Sequence, residues 1–217
     1  MSTPCACRRT HEPRRIVLTG GPGAGKTAVL HMLRLSLCPH VLLLPESAGI
    51  IFGGGFPRGK TPELQQAAQR AIFFVQRELE ATAVAMNAAL ILCDRGMIDG
   101  LAYWPGPGDF WASVGVPREA VVQRYDAVLH LRTPDAAHGY DHQNPLRIES
   151  SAEAAAIDAR IFQAWEGHPR RYIVDATSDF LVKAERVLDI VRGEVPECCR
   201  DHVAAAPRPA NSPAPAP

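Results

Sequence analysis

The chain carries no surplus of charge of either sign: 23 lysines and arginines face 23 aspartates and glutamates in 217 residues. A protein that grips nucleic acid through its phosphates carries a basic excess, so no nucleic-acid partner is expected. No apolar run approaches the ~20 residues needed to span a bilayer, so no membrane insertion is expected. The basic stretch at the N-terminus is not followed by an apolar h-region, so no secretory leader is read. A cytoplasmic protein is the expectation. The six cysteines form no C-x-x-C pair, and their spacings match no zinc framework. Reduced thiols are expected, with Cys5, Cys7, Cys198 and Cys199 in terminal tails. There is no internal repeat. What is present is a composition that is 47% hydrophobic, enough for one core.

Three segments are expected. Residues 1–13 and the Pro- and Ala-rich 194–217 lack apolar periodicity and read as disordered tails. Residues 14–193 read as one folded domain. Inside it, short apolar runs at residues 16–19, 41–44, 89–93, 126–131 and 172–174 alternate with helical patterns. This predicts a parallel sheet with helices on both faces, a three-layer α/β architecture. Thr61-Pro62-Glu63 spells a helix start: a hydroxyl cap, a proline at the first position and an acid in the first turn. Leu64, Ala68, Ile72, Val75, Leu79, Ala83 and Met86 then recur at helical spacing, which predicts a long amphipathic helix with that face buried. In such sheets ligands bind beyond the carboxyl ends of the strands. Here those ends carry Gly20-Gly21, Glu46, Asp94-Arg95, Arg132-Thr133 and Asp175-Ala176-Thr177.

Gly20-Gly21-Pro22-Gly23-Ala24-Gly25-Lys26-Thr27 fits G-x-x-x-x-G-K-[ST]. Glycines let backbone N–H groups curl around phosphate oxygens, and the following helix adds its positive end. Lys26 can reach the β and γ phosphates, and the Thr27 hydroxyl can ligate Mg2+. The motif follows an apolar strand and opens a helix, as its mechanism requires. The D-x-x-G and N-K-x-D elements of Ras-type GTPases are missing. The acidic pair of ABC and AAA+ machines is replaced by Asp94-Arg95. An arginine at that strand end points to a nucleoside- or nucleotide-kinase type of site, where arginines hold phosphates during in-line transfer.

Glu46 is a candidate base for an acceptor hydroxyl; a helix-capping or Mg2+-water contact is its alternative. Asp94 is expected to hold Mg2+ with Thr27, or to be the base if Glu46 is not. Arg95 is expected to bind phosphate or substrate, unless it and Asp94 form an internal salt bridge. Trp104, Phe110 and Trp111 could stack on a substrate ring or build a small satellite core. The polar stretch 133–150 could form a flap that excludes water, with Arg147 as its arginine and Arg160 and Arg132 behind it. His138 and His142 there read as solvated loop histidines.

Together, TGGPGAGKT, PESAGII, CDRGMIDGLAYW, RYDAVLHL and NPLRIES resemble the NadR/Ttd-type P-loop ATPase family. The pattern is close to the ribosylnicotinamide kinase domain of NadR and more distant from deoxynucleoside and thymidylate kinases. The resemblance covers about residues 14–193. It implies that residues 20–27 bind a nucleoside triphosphate, that Glu46, Asp94 and Arg95 form the reacting centre, and that Arg147 belongs to a lid. It also implies a P-loop NTPase fold with five parallel strands in the order 2-3-1-4-5. Two functions compete. One is an Mg2+- and ATP-dependent kinase acting on a hydroxyl of a small ring-bearing metabolite, with GTP a possible donor. The other is an ATP/GTP-binding switch with slow hydrolysis that recruits a protein or lipid.

Overall fold

Alternate residues of the central strands serve opposite faces of one sheet, and both faces are covered. In the computed structural model, which describes residues 7, 9–133, 151–176 and 179–200, β1 (Arg14–Thr19) sends Ile16 and Leu18 to one core and Val17 to the other. In β3 (Leu90–Asp94) the same split separates Leu90 and Leu92 from Ile91 and Cys93. Burial on both sides explains why these strands read as continuous apolar runs rather than as alternating ones.

The five strands are all parallel and lie in the order β2-β3-β1-β4-β5, as expected. The edges are β2 (Val41–Leu44) and β5 (Arg171–Val174), and β4 (Ala127–Leu131) lies between β1 and β5. One face is covered by α1 (Lys26–Ser36) and α7 (Phe180–Glu194), through Val29, Leu30, Leu33, Val187, Leu188 and Val191. The other holds α3 (Pro62–Ala85), a 3-10 turn at Met97–Tyr103 and α6 (Ser151–Ala164), around Phe73, Ile98, Ile161 and Trp165. Short helices α2 (Ser47–Gly53), α4 (Phe110–Val114) and α5 (Arg118–Val122) join these parts. No helix among the described residues is long and apolar enough to cross a membrane.

Helix α3 begins as read: the Thr61 hydroxyl accepts the Leu64 N–H and Pro62 occupies the first turn. The expected face is buried only in part, through Ala68 and Ala83 with Ile72, Val75 and Leu79 half-buried, and the helix is turned so that polar residues join it. Ala68, Phe73, Gln76, Glu80 and Ala83 are buried, while Leu64 and Met86 are 44% and 64% exposed. Two polar residues turn inward because partners wait for them. The Gln76 carbonyl accepts from Ser47 Oγ at 2.7 Å, and Glu80 accepts from Tyr125 Oη at 2.7 Å and Arg124 Nη2 at 2.9 Å.

The packed chain also continues past the expected end at Gly193. Glu194 is buried and pairs with Arg14 and Arg170. Val195 and Cys199, the latter on α8 (Glu197–Arg200), join the core. The tail reading of 194–200 is thereby corrected: a short run without periodicity can be packed by partners remote in sequence. Cys7 likewise packs against the core, and the His11 N–H reaches Asn87 Oδ1. Residues 201–217 lie outside the described residues.

Candidate functional site

Strand register brings the candidate residues to one edge. Leu18 pairs with Asp94, Leu44 with Cys93 and Thr19 with His130. Residues 20–27, Glu46 and Asp94-Arg95 therefore emerge side by side from the carboxyl ends of β1, β2 and β3.

The loop of residues 20–27 is tightly seated. Gly20 has φ 129°, and a Cβ there would lie 2.0 Å from the Leu131 carbonyl oxygen, so only glycine fits. Gly25 caps α1 in the left-handed conformation at φ 87°. Lys26 curls back over the loop, donating to the Gly20 and Gly21 carbonyls at 2.8 Å each. Its pKa falls from 10.5 to about 7: burial dominates and Arg95 adds repulsion, against Asp94, Glu46 and Asp99.

Thr27 Oγ1 donates to Asp94 Oδ2 at 3.3 Å. Asp94 Oδ1 is buried with no hydrogen-bond partner among the described residues. Burial raises the Asp94 pKa, opposed by Lys26 and Arg95. A hydroxyl beside a carboxylate with a spare buried oxygen is a hard-oxygen donor set, and it fits Mg2+.

Arg95 has φ 74°, a left-handed conformation costing about 1–3 kcal/mol for a side-chain-bearing residue. Its N–H bonds the Leu18 carbonyl at 3.0 Å, and Nη1 reaches the Gly20 carbonyl at 3.3 Å. Its ion pairs go to Glu46, at 2.6 Å, and Asp99, at 3.7 Å. The internal Asp94–Arg95 bridge is therefore not the arrangement adopted. Glu46 stands at the N-cap position of α2 but its side chain makes no cap bond; its Oε1 accepts from Arg95 Nε instead. A cavity of about 500 Å³ opens beside these groups, lined by Thr27, Glu46 and Asp94 together with Leu30, Arg34 and Ile50.

Several supporting residues were not singled out from sequence. Asp158, on α6, accepts the Gly21 N–H at 2.8 Å, faces His130 Nε2 at 2.9 Å and pairs with Arg132 at 3.2 Å. Burial would raise its pKa, but His130, the Gly21 N–H and Arg132 outweigh that and lower it below 3.8. A depressed carboxylate stabilises the fold above its unfolded pKa, and the gain is lost as pH falls through the folded value. Asp158→Asn is expected to cost about 1–3 kcal/mol at neutral pH. It should also flatten the loss of stability below about pH 4. Urea unfolding at a series of pH values checks this, and an acid limb unchanged from wild type would refute it.

Lys183, on α7, donates to the Ala24 and Arg132 carbonyls at 2.9 Å each. It is a buried lysine whose pKa drops to about 8 through burial, against Asp158 and Asp175. Asp99 accepts from Thr19 Oγ1 at 2.7 Å and from Trp165 Nε1 at 2.5 Å. The one sequence signal for Lys183 was a charge inside an apolar helical stripe. Asp158 and Trp165 gave none, because their partners are far away in the chain.

The aromatics resolve towards the satellite core. Phe110 is buried and meets Phe73, Trp104 and Trp111 edge-on, with ring centroids 5.0–5.9 Å apart. Arg160 ties α6 to the Ala102 carbonyl and does not join the site. Arg147, His138, His142, Thr177 and Ser178 lie outside the described residues.

No curated protein matches the sequence. Among solved structures, the chain is similar to thymidylate kinase from Ehrlichia chaffeensis. That match has a TM-score of 0.54 at 14% identity and covers 82% of this chain and 98% of that one. Thymidylate kinase from Candida albicans gives 0.55 at 16%, covering 83% and 92%. The NadR protein, solved in complex with NAD and AMP-PNP, gives 0.60 at 16%; 84% of this chain covers 49% of that one, about half its length. These likenesses establish a fold shared with the two thymidylate kinases and with NadR. Residues 15–181 match the AAA_28 family, described as an AAA domain, and the chain belongs to that family.

Proposed function

We propose that this protein is an Mg2+-dependent phosphotransferase that moves the γ-phosphate of ATP to a hydroxyl of a small, ring-bearing metabolite. The observation that carries the reading is convergence. Lys26, Thr27, Glu46, Asp94 and Arg95 meet at one sheet edge, beside a cavity of about 500 Å³. That volume suits a small organic molecule. Likeness of fold to two nucleotide kinases and to NadR supports the same class.

Each residue has work in this reading. The backbone of residues 20–27 and the N-terminus of α1 receive the triphosphate. Lys26 leaves its loop carbonyls for the β and γ phosphate oxygens. Thr27 and Asp94 would hold Mg2+, which when bound would neutralise phosphate charge. Arg95, tethered by Glu46 and Gly20, offers its guanidinium to the transferring group. Glu46 faces the cavity and takes the acceptor proton. The Arg34 and His31 side chains on the cavity wall suit a polar or anionic acceptor substituent.

The test is transfer of labelled γ-phosphate from ATP, with Mg2+, to a pool of nucleosides, nucleotides and polyols. A labelled product is expected. Glu46→Gln should lower turnover by about 10²–10⁴-fold with little change in nucleotide affinity. Asp94→Asn should lower turnover in a way that added Mg2+ partly restores. Full turnover in both variants would refute the assigned chemistry. Tight nucleotide binding with only slow hydrolysis across the pool would shift the reading to a nucleotide-gated switch.

A further inference from the structure

At the end of the sheet away from the phosphate loop, three remote segments bring thiols and imidazoles together. Cys7 and His11 precede β1, Cys38 and His40 precede β2, and Cys199 comes from α8 after the last long helix. Cys38, His40 and Cys199 form one triad and Cys7, His11 and Cys199 another, the ligand atoms of each lying within 4.8 Å of one another. His40 Nδ1 is 3.5 Å from both Cys38 Sγ and Cys199 Sγ, and His11 Nε2 is 3.4 Å from Cys7 Sγ.

These separations have a meaning for metal binding. Zinc holds sulfur at about 2.3 Å and imidazole nitrogen at about 2.0–2.1 Å in a tetrahedron. The S···N edge of that tetrahedron is then roughly 3.5 Å, which is the spacing seen at His40. The ligands are also held in place by their backbones. The His40 carbonyl accepts from Ala89 and Leu90 at the head of β3, the Cys38 carbonyl accepts the Val41 N–H at 2.9 Å, and the Cys199 N–H bonds the Pro196 carbonyl at 2.8 Å. Cys38 and Cys199 are buried thiols. A soft N/S donor set of this kind selects a thiophilic divalent ion over Mg2+.

We propose that Cys38, His40 and Cys199 bind one zinc-type divalent ion, with the fourth position left for water or for Cys7 or His11, which share Cys199 in the adjoining triad. The ion would staple α8 to the foot of β2. No C-x-x-C spacing announces the site, because its Cys-His pairs are C-x-H and C-x-x-x-H and meet the remote Cys199 only through tertiary structure. The site is structural and separate from the phosphate-loop edge, so it stands or falls independently of the phosphotransferase reading.

The experiment uses the full chain, reduced and stripped with a chelator, then titrated with Co2+ and with Zn2+. One Co2+ per chain is expected, with the thiolate charge-transfer and visible bands of a tetrahedral sulfur site. Zn2+ should displace it and raise the melting temperature. Cys199→Ser should abolish the charge-transfer bands, while Cys93→Ala, which removes a thiol outside the cluster, should keep them. A reduced wild-type chain that takes up no Co2+ overturns the proposal without recourse to any variant. So does a Co2+ spectrum unchanged by Cys199→Ser. A Cys38–Cys199 disulfide that forms in preference to metal uptake overturns it as well.

Discussion

Lys26→Ala is expected to lower phosphoryl transfer by about 10²–10³-fold or more, the usual cost of losing one positioned charge at the reacting phosphate. Its expected effect on stability runs the other way. Buried, and repelled by Arg95, the Lys26 amine has a pKa near 7 in the folded chain against 10.5 ordinarily. Between those values the unfolded chain binds the extra proton, so stability rises with pH across that window. Below about pH 7 the fold carries the whole penalty of a charged, buried amine, roughly a few kcal/mol. Replacing the lysine removes the penalty, so the variant should melt no lower than wild type at pH 6 while losing activity.

The same argument makes triphosphate binding proton-linked. Phosphate oxygens beside Lys26 favour its charged form. Binding above about pH 7 should therefore take up a proton, and affinity should weaken as pH rises. Calorimetry in two buffers of different ionisation enthalpy measures the uptake. Wild type should show it at pH 8 and Lys26→Ala should not. Equal proton counts in the two proteins would remove Lys26 from the phosphate site.

The second large effect is expected far from the phosphate loop, at Glu80. This carboxylate is fully buried on α3. It accepts from Tyr125 Oη, Arg124 Nη2 and Gln76 Nε2, and Arg15 Nε stands 3.9 Å away. Burial and the Glu80 charge push the Tyr125 phenol up, so it stays a proton donor at neutral pH. Glu80→Ala leaves two arginines, a phenol and an amide without their shared acceptor. Breaking a buried pair in this way costs about 3–5 kcal/mol. At about 2–4 °C per kcal/mol for a chain of this size, the melting point should fall by roughly 10 °C. Glu80→Gln keeps the shape and should cost less. A melting point for Glu80→Ala equal to wild type would show that the network carries no net stability.

Glu80 also bears on the site. Ser47, next to Glu46, donates to the Gln76 carbonyl, and Gln76 donates to Glu80. At the other end Tyr125 Oη accepts the Met97 N–H at 3.0 Å, two residues beyond Arg95. The network thus spans from the segment holding Glu46 to the turn holding Arg95, the two partners of the 2.6 Å ion pair. No feature of α3 read alone predicts this. Helical periodicity marks a face by hydrophobicity, and Gln76 and Glu80 count there as solvent residues.

Local patterns were sufficient wherever the physics is local. The glycines of residues 20–27, the lysine and threonine that follow, and the strand before them are all legible because the loop and the helix start share eight consecutive positions. The helix start at Thr61-Pro62 and the five apolar strands are legible for the same reason, since capping and burial on two faces leave short-range signatures. The partner of each polar side chain is another matter. Glu46 takes Arg95 across 49 positions, Gly21 takes Asp158 across 137, and Cys199 meets His40 across 159. Such pairs depend on how strands are ordered and helices are laid over them. A charge or thiol carries no mark of which distant group will meet it, so composition and spacing place it on the surface or in a tail. Packing moves it inside because a complementary group is already there to offset the cost of leaving water.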